Sequence, residues 1–135
     1  MAARYLLDSN VLIAAIKGEP AALLNRLAGL APERLCLSAV VLAELFTGAE
    51  KSRDAERRRA DLDELTQGME VLPFDTGDAS AYGRLRAILE TKGEGIGPLD
   101  MLIAAQAVNR GLVMVTANLK EFRRVPGLKC ENWLR

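Results

Sequence analysis

Short apolar runs alternate along the chain with longer segments in which apolar residues recur every three or four positions. The short runs predict strands at 4–7, 35–37, 69–74 and 112–115, with a last strand near Cys130. The longer segments predict helices bounded by capping residues and by Gly or Pro. The helices extend from Asp8 or Ser9 to Gly18, over 21–30, 39–49 and 54–65, from Asp75 or Asp78 to about 92, over 98–109, and briefly around Lys120.

This order of elements predicts an α/β fold, because short apolar strands separated by helices are typical of a parallel sheet with helices on both faces. We expect a three-layer α/β/α domain with a parallel sheet of about four or five strands. A chain of 135 residues has the size of one domain, so residues 1–135 are assigned to a single domain. The Gly-rich segment 93–97 predicts an irregular loop before the helix that begins at Pro98.

Composition restricts the chemistry. The 18 basic and 18 acidic residues cancel, so any contact with nucleic acid must come from a local basic group. The absence of His excludes Ser-His-Asp and Cys-His triads, His-ligated zinc and imidazole acid–base catalysis. Cys36 and Cys130 are too few for a disulfide framework and are interpreted as reduced thiols. With no recognisable export signal or membrane-spanning run, we expect a cytoplasmic protein.

Three acidic residues stand in apolar sequence, where a bare charge is costly to bury: Asp8, Glu44 and Asp100. Asp8 follows the first strand, Glu44 lies two turns into the helix after the second, and Asp100 lies in the first turn of its helix. Ligands bind at the carboxyl edge of open parallel sheets, and this layout brings the three acids towards that edge.

Each acid also has a purely structural interpretation. Asp8 can be a helix cap, Glu44 a core residue paired with an Arg, and Asp100 a first-turn acid that favours the helix dipole. Taken together, and with no competing His or Cys site, the three acids favour a carboxylate cluster for a hard cation such as Mg²⁺ or Mn²⁺.

The chain resembles the PIN-domain ribonucleases and, within them, the VapC toxins of bacterial toxin–antitoxin pairs. Several segments carry the resemblance, in the same order and over nearly the whole chain. They are residues 5–13, 38–45, 97–105, 113–118 and 121–133.

The resemblance implies a metal-dependent endoribonuclease with a PIN-like fold. Asp8 and Asp100 would then be ligands of Mg²⁺ or Mn²⁺, and Glu44 a further ligand or the group that orients the attacking water. Asn10 and Thr116 would hold Asp8 or the RNA phosphate, although a turn residue and a strand-end hydroxyl are equally good interpretations of these two.

The chain departs from the family at one acidic position. Many PIN domains carry a fourth acid two residues after the Thr that ends the fourth strand, where this chain has Asn118. Glu121 lies one helical turn further and is the expected substitute, which favours a single ion. The alternative is that Glu121 pairs with Arg124 or Lys120 at the surface.

RNA and protein partners follow from the same resemblance. Arg123 and Arg124 lie beside the expected site and are candidates for phosphate contact, and Asn118 is assigned to the substrate-binding group. VapC toxins dimerise and are inhibited by a VapB-type antitoxin, whose C-terminal tail follows a groove and points an Arg at the acids. We therefore expect a homodimer and a toxin–antitoxin hetero-oligomer, without a membrane.

Three other functions remain open at this stage. The first is a PIN nuclease of RNA processing or decay that has no antitoxin. The second is a phosphohydrolase with Asp8 as covalent nucleophile, which usually requires an acid where Asn10 stands. The third is a binding module without catalysis. A Rossmann dinucleotide site is excluded, because no GxGxxG follows the first strand.

Overall fold

The computed structural model describes residues 2–135 and contains one five-stranded sheet in the order β3-β2-β1-β4-β5. All neighbouring strands run parallel, which confirms the predicted α/β fold. The strand near Cys130 is present and is the fifth. The strands are β1 (Tyr5–Leu7), β2 (Leu35–Ser38), β3 (Glu70–Leu72), β4 (Val113–Val115) and β5 (Lys129–Glu131).

Within residues 2–135, seven α-helices and one 3₁₀ turn, Pro32–Arg34, connect the strands. Their starts follow the predicted caps: Asp8 and Ser38 cap the helices that begin at Ser9 and Ala39, and the side chains of Asp75 and Asp78 form a reciprocal capping box on the helix that begins at Thr76. The helices are α1 (Ser9–Lys17), α2 (Ala21–Ala28), α3 (Ala39–Lys51), α4 (Ala55–Thr66), α5 (Thr76–Thr91), α6 (Pro98–Arg110) and α7 (Leu119–Phe122).

The third strand is shorter than the segment 69–74 predicted from its apolar residues. Pairing ends at Leu72 because Pro73 has no N–H to donate to the ladder. The strand lies at the edge of the sheet, and Glu70 and Val71 are exposed. The apolar residues of segment 69–74 therefore predicted too long a strand, because β3 has a neighbouring strand on only one side and its pairing ends at Leu72.

The core is formed by the central strands and the helices that cover them. All three residues of β1 are buried, as are Met114 and Val115 of β4. The middle of α6 is buried and rich in Ala, and these small side chains permit its backbone to approach the sheet and α5 closely. Cys36 lies in this core, and burial raises the pKa of its thiol to about 11, so it stays protonated and inert.

The strand order creates a cleft beside β1. The chain adds β2 and β3 on one side of β1 and later adds β4 and β5 on the other, so that connections leave β1 and β4 in opposite directions. Binding sites of open α/β sheets form at the carboxyl ends of such strands. Asp8 directly follows β1 and Thr116 directly follows β4. None of the helices within residues 2–135 has the length and apolar character needed to cross a membrane.

Candidate active site

Asp8 is buried at the carboxyl end of β1 and is surrounded by neutral donors. Its Oδ1 accepts the N–H of Ser9 at 2.9 Å. Its Oδ2 accepts the hydroxyl of Thr116 at 2.8 Å and the side-chain amide of Asn10 at 3.1 Å. Within residues 2–135 no Arg or Lys forms an ion pair with it, so its position is fixed while its charge is left uncompensated.

Asn10 and Thr116 join the start of α1 to the turn after β4. The Oδ1 of Asn10 accepts the N–H of Ala117 at 3.1 Å, and the Oγ1 of Thr116 accepts the N–H of Asn118 at 3.0 Å. Each side chain thus contacts Asp8 with one polar atom and the turn with another. Both side chains contact Asp8, which is one of the two placements that the family resemblance implied, and Asn10 and Thr116 also hold the turn.

Asp100 and Glu121 face one another across the start of α6. A methyl group built on Gly97 would lie 3.5 Å from Oδ2 of Asp100 and 4.0 Å from Oε1 of Glu121. Glu121 accepts the N–H of Gly97 at 3.1 Å through Oε1, and the side-chain amide of Asn118 through Oε2. Glu121 therefore points towards Asp100, and among the described residues it forms no ion pair with a surface Lys or Arg.

The charges of three acidic side chains, Glu121, Asp8 and Glu44, act on the carboxyl group of Asp100. Burial raises the pKa of Asp100 to about 6, together with the charges of Glu121, Asp8 and Glu44 and a hydrogen bond with Glu121. Burial and the charge of Asp8 also raise the pKa of Glu44, which lies half-buried on α3. The four carboxyl groups thus act on one another as like charges in a partly desolvated cleft.

The donor set fits a hard divalent cation. No group of three acidic side chains within residues 2–135 is close enough to form a complete metal site on its own. Burial and the charges of Glu121, Asp8 and Glu44 raise the pKa of Asp100, and a bound cation would relieve the repulsion among these acids. Carboxylate oxygens without any His or thiolate suit Mg²⁺ or Mn²⁺.

The two basic residues expected beside the site differ in their contacts. Arg124 donates a 3.2 Å hydrogen bond from Nη1 to the carbonyl of Gly95, in the loop that precedes α6. Arg123 is exposed, and its side chain makes no hydrogen bond or ion pair to any residue that the structure describes. The sequence did not indicate the contact of Arg124 with the glycine loop.

An apolar groove of about 210 Å³ lies between α1, α3 and α4 and is lined in part by Glu44. Ile13 contributes to its rim and is 43% exposed, which is high for a large apolar side chain. The groove thus joins an exposed apolar surface to one of the four acids. Its other apolar walls come from Ile16, Leu45, Ala49 and Leu62.

Asp78 is a buried acid that, unlike Asp8, Glu44 and Asp100, does not stand in apolar sequence. It lies in polar sequence and was predicted only as a helix cap, yet its side chain is fully buried. Arg110 donates to it at 2.9 Å and Asn109 at 2.9 Å. Burial alone would raise the pKa of Asp78, but these bonds, the N–H of Asp75 and the charge of Arg110 lower it to about 2. Asp78 is therefore a compensated structural acid.

The chain matches a family model, the sequences of known ribonucleases and solved structures. The PIN domain model matches residues 5–128. A tRNA(fMet)-specific endonuclease VapC of Salmonella typhimurium is 43% identical over 96% of this chain and 98% of its own length. Ribonuclease VapC2 of Rickettsia felis is 40% identical over 96% of this chain and 97% of its own.

Solved structures of toxin–antitoxin complexes have the same fold. DNA-bound VapBC from Salmonella typhimurium aligns with a TM-score of 0.91 at 42% identity, over 98% of this chain and 99% of that chain. VapBC2 from Rickettsia felis, bound to a DNA fragment from its promoter, aligns with a TM-score of 0.89 at 39% identity, over 96% and 98% of the two chains.

Proposed function

Since the chain belongs to the PIN-domain family, and to its VapC ribonucleases, we propose that it is a metal-dependent endoribonuclease toxin restrained by a VapB-type antitoxin. The observation that carries this proposal is the cleft of four carboxylates beside β1, in which the pKa of Asp100 is raised to about 6 and no basic side chain of residues 2–135 compensates the charge. The names of the relatives favour the toxin over an RNA-processing nuclease without an antitoxin.

Asp8 and Asp100 would hold the ion, with Glu44 or Glu121 as further ligands. A bound Mg²⁺ or Mn²⁺ supplies a lowered pKa for its water and a counter-charge for the phosphate. The hydrogen bonds of Thr116 and Asn10 keep Oδ2 of Asp8 in one orientation, as outer partners of metal ligands commonly do.

Proton transfer falls to Glu44 in this proposal. Burial and the charge of Asp8 raise the pKa of Glu44, which brings its carboxylate closer to the pKa that suits a general base at neutral pH. Its charge acts on Asp100, which is consistent with a carboxylate near the proposed ion that accepts the proton of the attacking water at one oxygen.

The substrate we propose is an initiator tRNA. The Salmonella relative is named as a tRNA(fMet)-specific endonuclease and shares 43% of its residues with this chain. The formal charge of the chain is zero, so phosphate contacts must be local. Arg123 is exposed at the end of α7, close in sequence to Glu121, and is the proposed phosphate contact.

The antitoxin is proposed to occupy the apolar groove between α1, α3 and α4. Its walls are mostly apolar, as expected for a surface that receives side chains of a peptide, and its charged lining residues are Lys17, Glu44, Arg58 and Asp61. An Arg near the end of the antitoxin would pair with the surplus negative charge of the cleft. The complex would be a hetero-oligomer built on a toxin homodimer, and an RNA substrate of this kind requires a cytoplasmic protein.

The proposal is tested with protein purified from a co-expressed toxin–antitoxin pair. We expect the freed chain to cleave initiator tRNA with Mg²⁺ or Mn²⁺, to be inactive in EDTA, and to lose at least about 100-fold in rate in Asp8→Asn. Asp63→Asn, which changes an exposed acid of α4, is the matched control and should keep full activity. Cleavage that persists in EDTA, or in Asp8→Asn, would refute the metal mechanism. Separate elution of the two chains in size-exclusion chromatography would refute the partner assignment.

A further inference from the structure

Two hydrogen bonds connect the glycine loop, residues 93–97, to the region of α7. Arg124 donates from Nη1 to the carbonyl of Gly95 at 3.2 Å, and the N–H of Gly97 donates to Oε1 of Glu121 at 3.1 Å. The first bond uses a backbone acceptor of the loop and the second a backbone donor. Together they attach the loop to α7, through Glu121, and to the residues that directly follow α7, through Arg124.

Both ends of the loop have other contacts: the N–H groups of Gly93 and Glu94 donate to the carbonyls of Glu90 and Leu89 at the end of α5, and Ile96 packs against the core. Between them, the carbonyl of Gly95 is held by Arg124. Gly93 has a φ of +68°, which other residues rarely adopt, and a side chain built on Gly93 or Gly95 would contact nothing within 4 Å. Glycine loses more conformational freedom on ordering than any other residue, so this backbone needs specific ties to keep one path. The guanidinium of Arg124 provides such a tie halfway along the loop.

The path of the loop determines where Asp100 lies. Gly97 is the N-cap of α6, and its carbonyl accepts the first helical hydrogen bond, from Met101 at 2.9 Å. Asp100 projects from this first turn. A displacement of Gly97 would therefore move the carboxylate of Asp100 and would also break the bond from Gly97 to Glu121.

We propose that Arg124 is a positioning residue, which holds the glycine loop so that Asp100 and Glu121 keep their relative placement, and that it is not a phosphate contact. This inference rests on the proposed function for its kinetic part only. Its structural part concerns hydrogen bonds within this chain and is tested without RNA or metal.

Two substitutions of Arg124 distinguish the role of its hydrogen-bond donor from the role of its positive charge. The carbonyl of Gly95 requires a hydrogen-bond donor, whereas an RNA phosphate is bound mainly through positive charge, with strong salt dependence. Arg124→Gln removes the charge and keeps an N–H donor, and Arg124→Met removes both with a similar side-chain length. Arg84→Gln and Arg84→Met are matched controls, because Arg84 is an exposed residue of α5 whose side chain, among residues 2–135, bonds only to Ser80.

The structural test follows the amide of Gly97 by NMR in the metal-free protein. We expect faster hydrogen exchange and a shifted resonance in Arg124→Met, near wild-type behaviour in Arg124→Gln, and no change in the Arg84 variants. Thermal unfolding verifies that each variant is folded, which is expected because Arg124 is exposed. An unchanged Gly97 signal in Arg124→Met would overturn the proposal, whether or not the chain cleaves RNA.

The functional test measures Mn²⁺ affinity by calorimetry, and kcat and KM for initiator tRNA at two salt concentrations. Arg124→Met should lose about 10-fold or more in Mn²⁺ affinity and kcat with little change in KM, the range typical of groups that orient metal ligands, and Arg124→Gln should recover most of this loss. Equal defects in the two variants, expressed as a salt-dependent rise in KM, would overturn the proposal and assign Arg124 to phosphate binding. Inactivity of the wild type would count against the proposed function alone.

Discussion

Arg110 donates a 2.9 Å hydrogen bond to the buried carboxylate of Asp78, and this contact holds the ends of α5 and α6 together. Asp100, at the opposite end of α6, has acids for neighbours. The two environments move the pKa in opposite directions, to about 2 for Asp78 and to about 6 for Asp100. One helix thus carries an anchoring ion pair at its end and, at its start, the carboxylate that we propose as a metal ligand.

Asp100→Asn is expected to stabilise the metal-free protein at neutral pH. Because folding raises the pKa of Asp100 from 3.8 to about 6, the folded state binds the proton more tightly, and its stability falls as pH rises between these values. A shift of two pKa units corresponds to about 3 kcal/mol, which solvent screening of a partly exposed group reduces to about 1–2 kcal/mol. Urea unfolding in EDTA at several pH values measures the difference.

The gain of Asp100→Asn should be largest above about pH 6 and should vanish below about pH 4, where the wild-type carboxyl is protonated in both states. Asp63→Asn on the exposed face of α4 serves as the control. A gain that is constant with pH would show that Asp100 is not strained by its acidic neighbours.

Arg110→Met is expected to destabilise the fold by about 3–5 kcal/mol, since it leaves the buried charge of Asp78 with neutral hydrogen-bond donors but without its ion-pair partner. The lowered pKa of Asp78 means that its contribution is full above about pH 4 and is lost as pH falls towards 2. The cost of Arg110→Met, measured by urea unfolding, should therefore be smaller at about pH 3 than at neutral pH. A cost below about 1 kcal/mol, the usual value of a surface pair, would contradict this role.

Elements were predictable wherever a local signal exists. The strand at Leu35, the cap at Ser38 and the helix start at Pro98 each follow from residues within a few positions of one another, and all three are confirmed. The overlong third strand shows the limit, because only the sheet order reveals that it is an edge.

The candidate site was predictable for residues that are apolar-flanked acids or that belong to the family's motifs. Such patterns selected Asp8, Glu44 and Asp100. Contacts between distant segments produce no local sequence pattern. The bonds from Arg110 to Asp78 and from Arg124 to Gly95, for example, join residues that lie far apart in the sequence. Whether the charge of a buried acid is compensated depends on these long-range partners. The sequence therefore did not reveal that Asp78 is paired with a basic residue whereas Asp100 has acidic neighbours.

Thr116→Val is expected to slow RNA cleavage with little change in shape. The substitution removes the 2.8 Å bond to Oδ2 of Asp8 and leaves that oxygen with the amide of Asn10 alone. Loss of such an orienting bond typically costs about 10–100-fold in metal affinity or activity. The measurements are Mn²⁺ affinity and kcat, and Thr116→Ser, which keeps the hydroxyl, should restore both. Wild-type Mn²⁺ affinity and kcat in Thr116→Val would show that Asp8 keeps its orientation without this hydrogen bond.

Glu121→Gln tests whether Glu121 replaces the acid that Asn118 lacks. The carboxylate is held by the N–H of Gly97 and the amide of Asn118, on the side that faces Asp100. Removing its charge should weaken Mn²⁺ binding and slow cleavage by about 10-fold or more, while the fold persists because Glu121 is only half-buried. Calorimetry and single-turnover cleavage are the measurements.

Asn118→Asp supplies the second half of that test. In the wild type the added carboxylate would lie against Oε2 of Glu121, where the present amide donates, and the repulsion should lower stability. In the Glu121→Gln background, the carboxylate of Asn118→Asp can accept a hydrogen bond from the amide of the new Gln side chain. Donor and acceptor are then exchanged relative to the wild type, and one negative charge returns to the same place. The double variant should therefore recover part of the Mn²⁺ affinity that Glu121→Gln loses. Wild-type affinity and rate in Glu121→Gln alone would show that Asp8, Glu44 and Asp100 suffice, and that Glu121 serves only to hold the loop at Gly97.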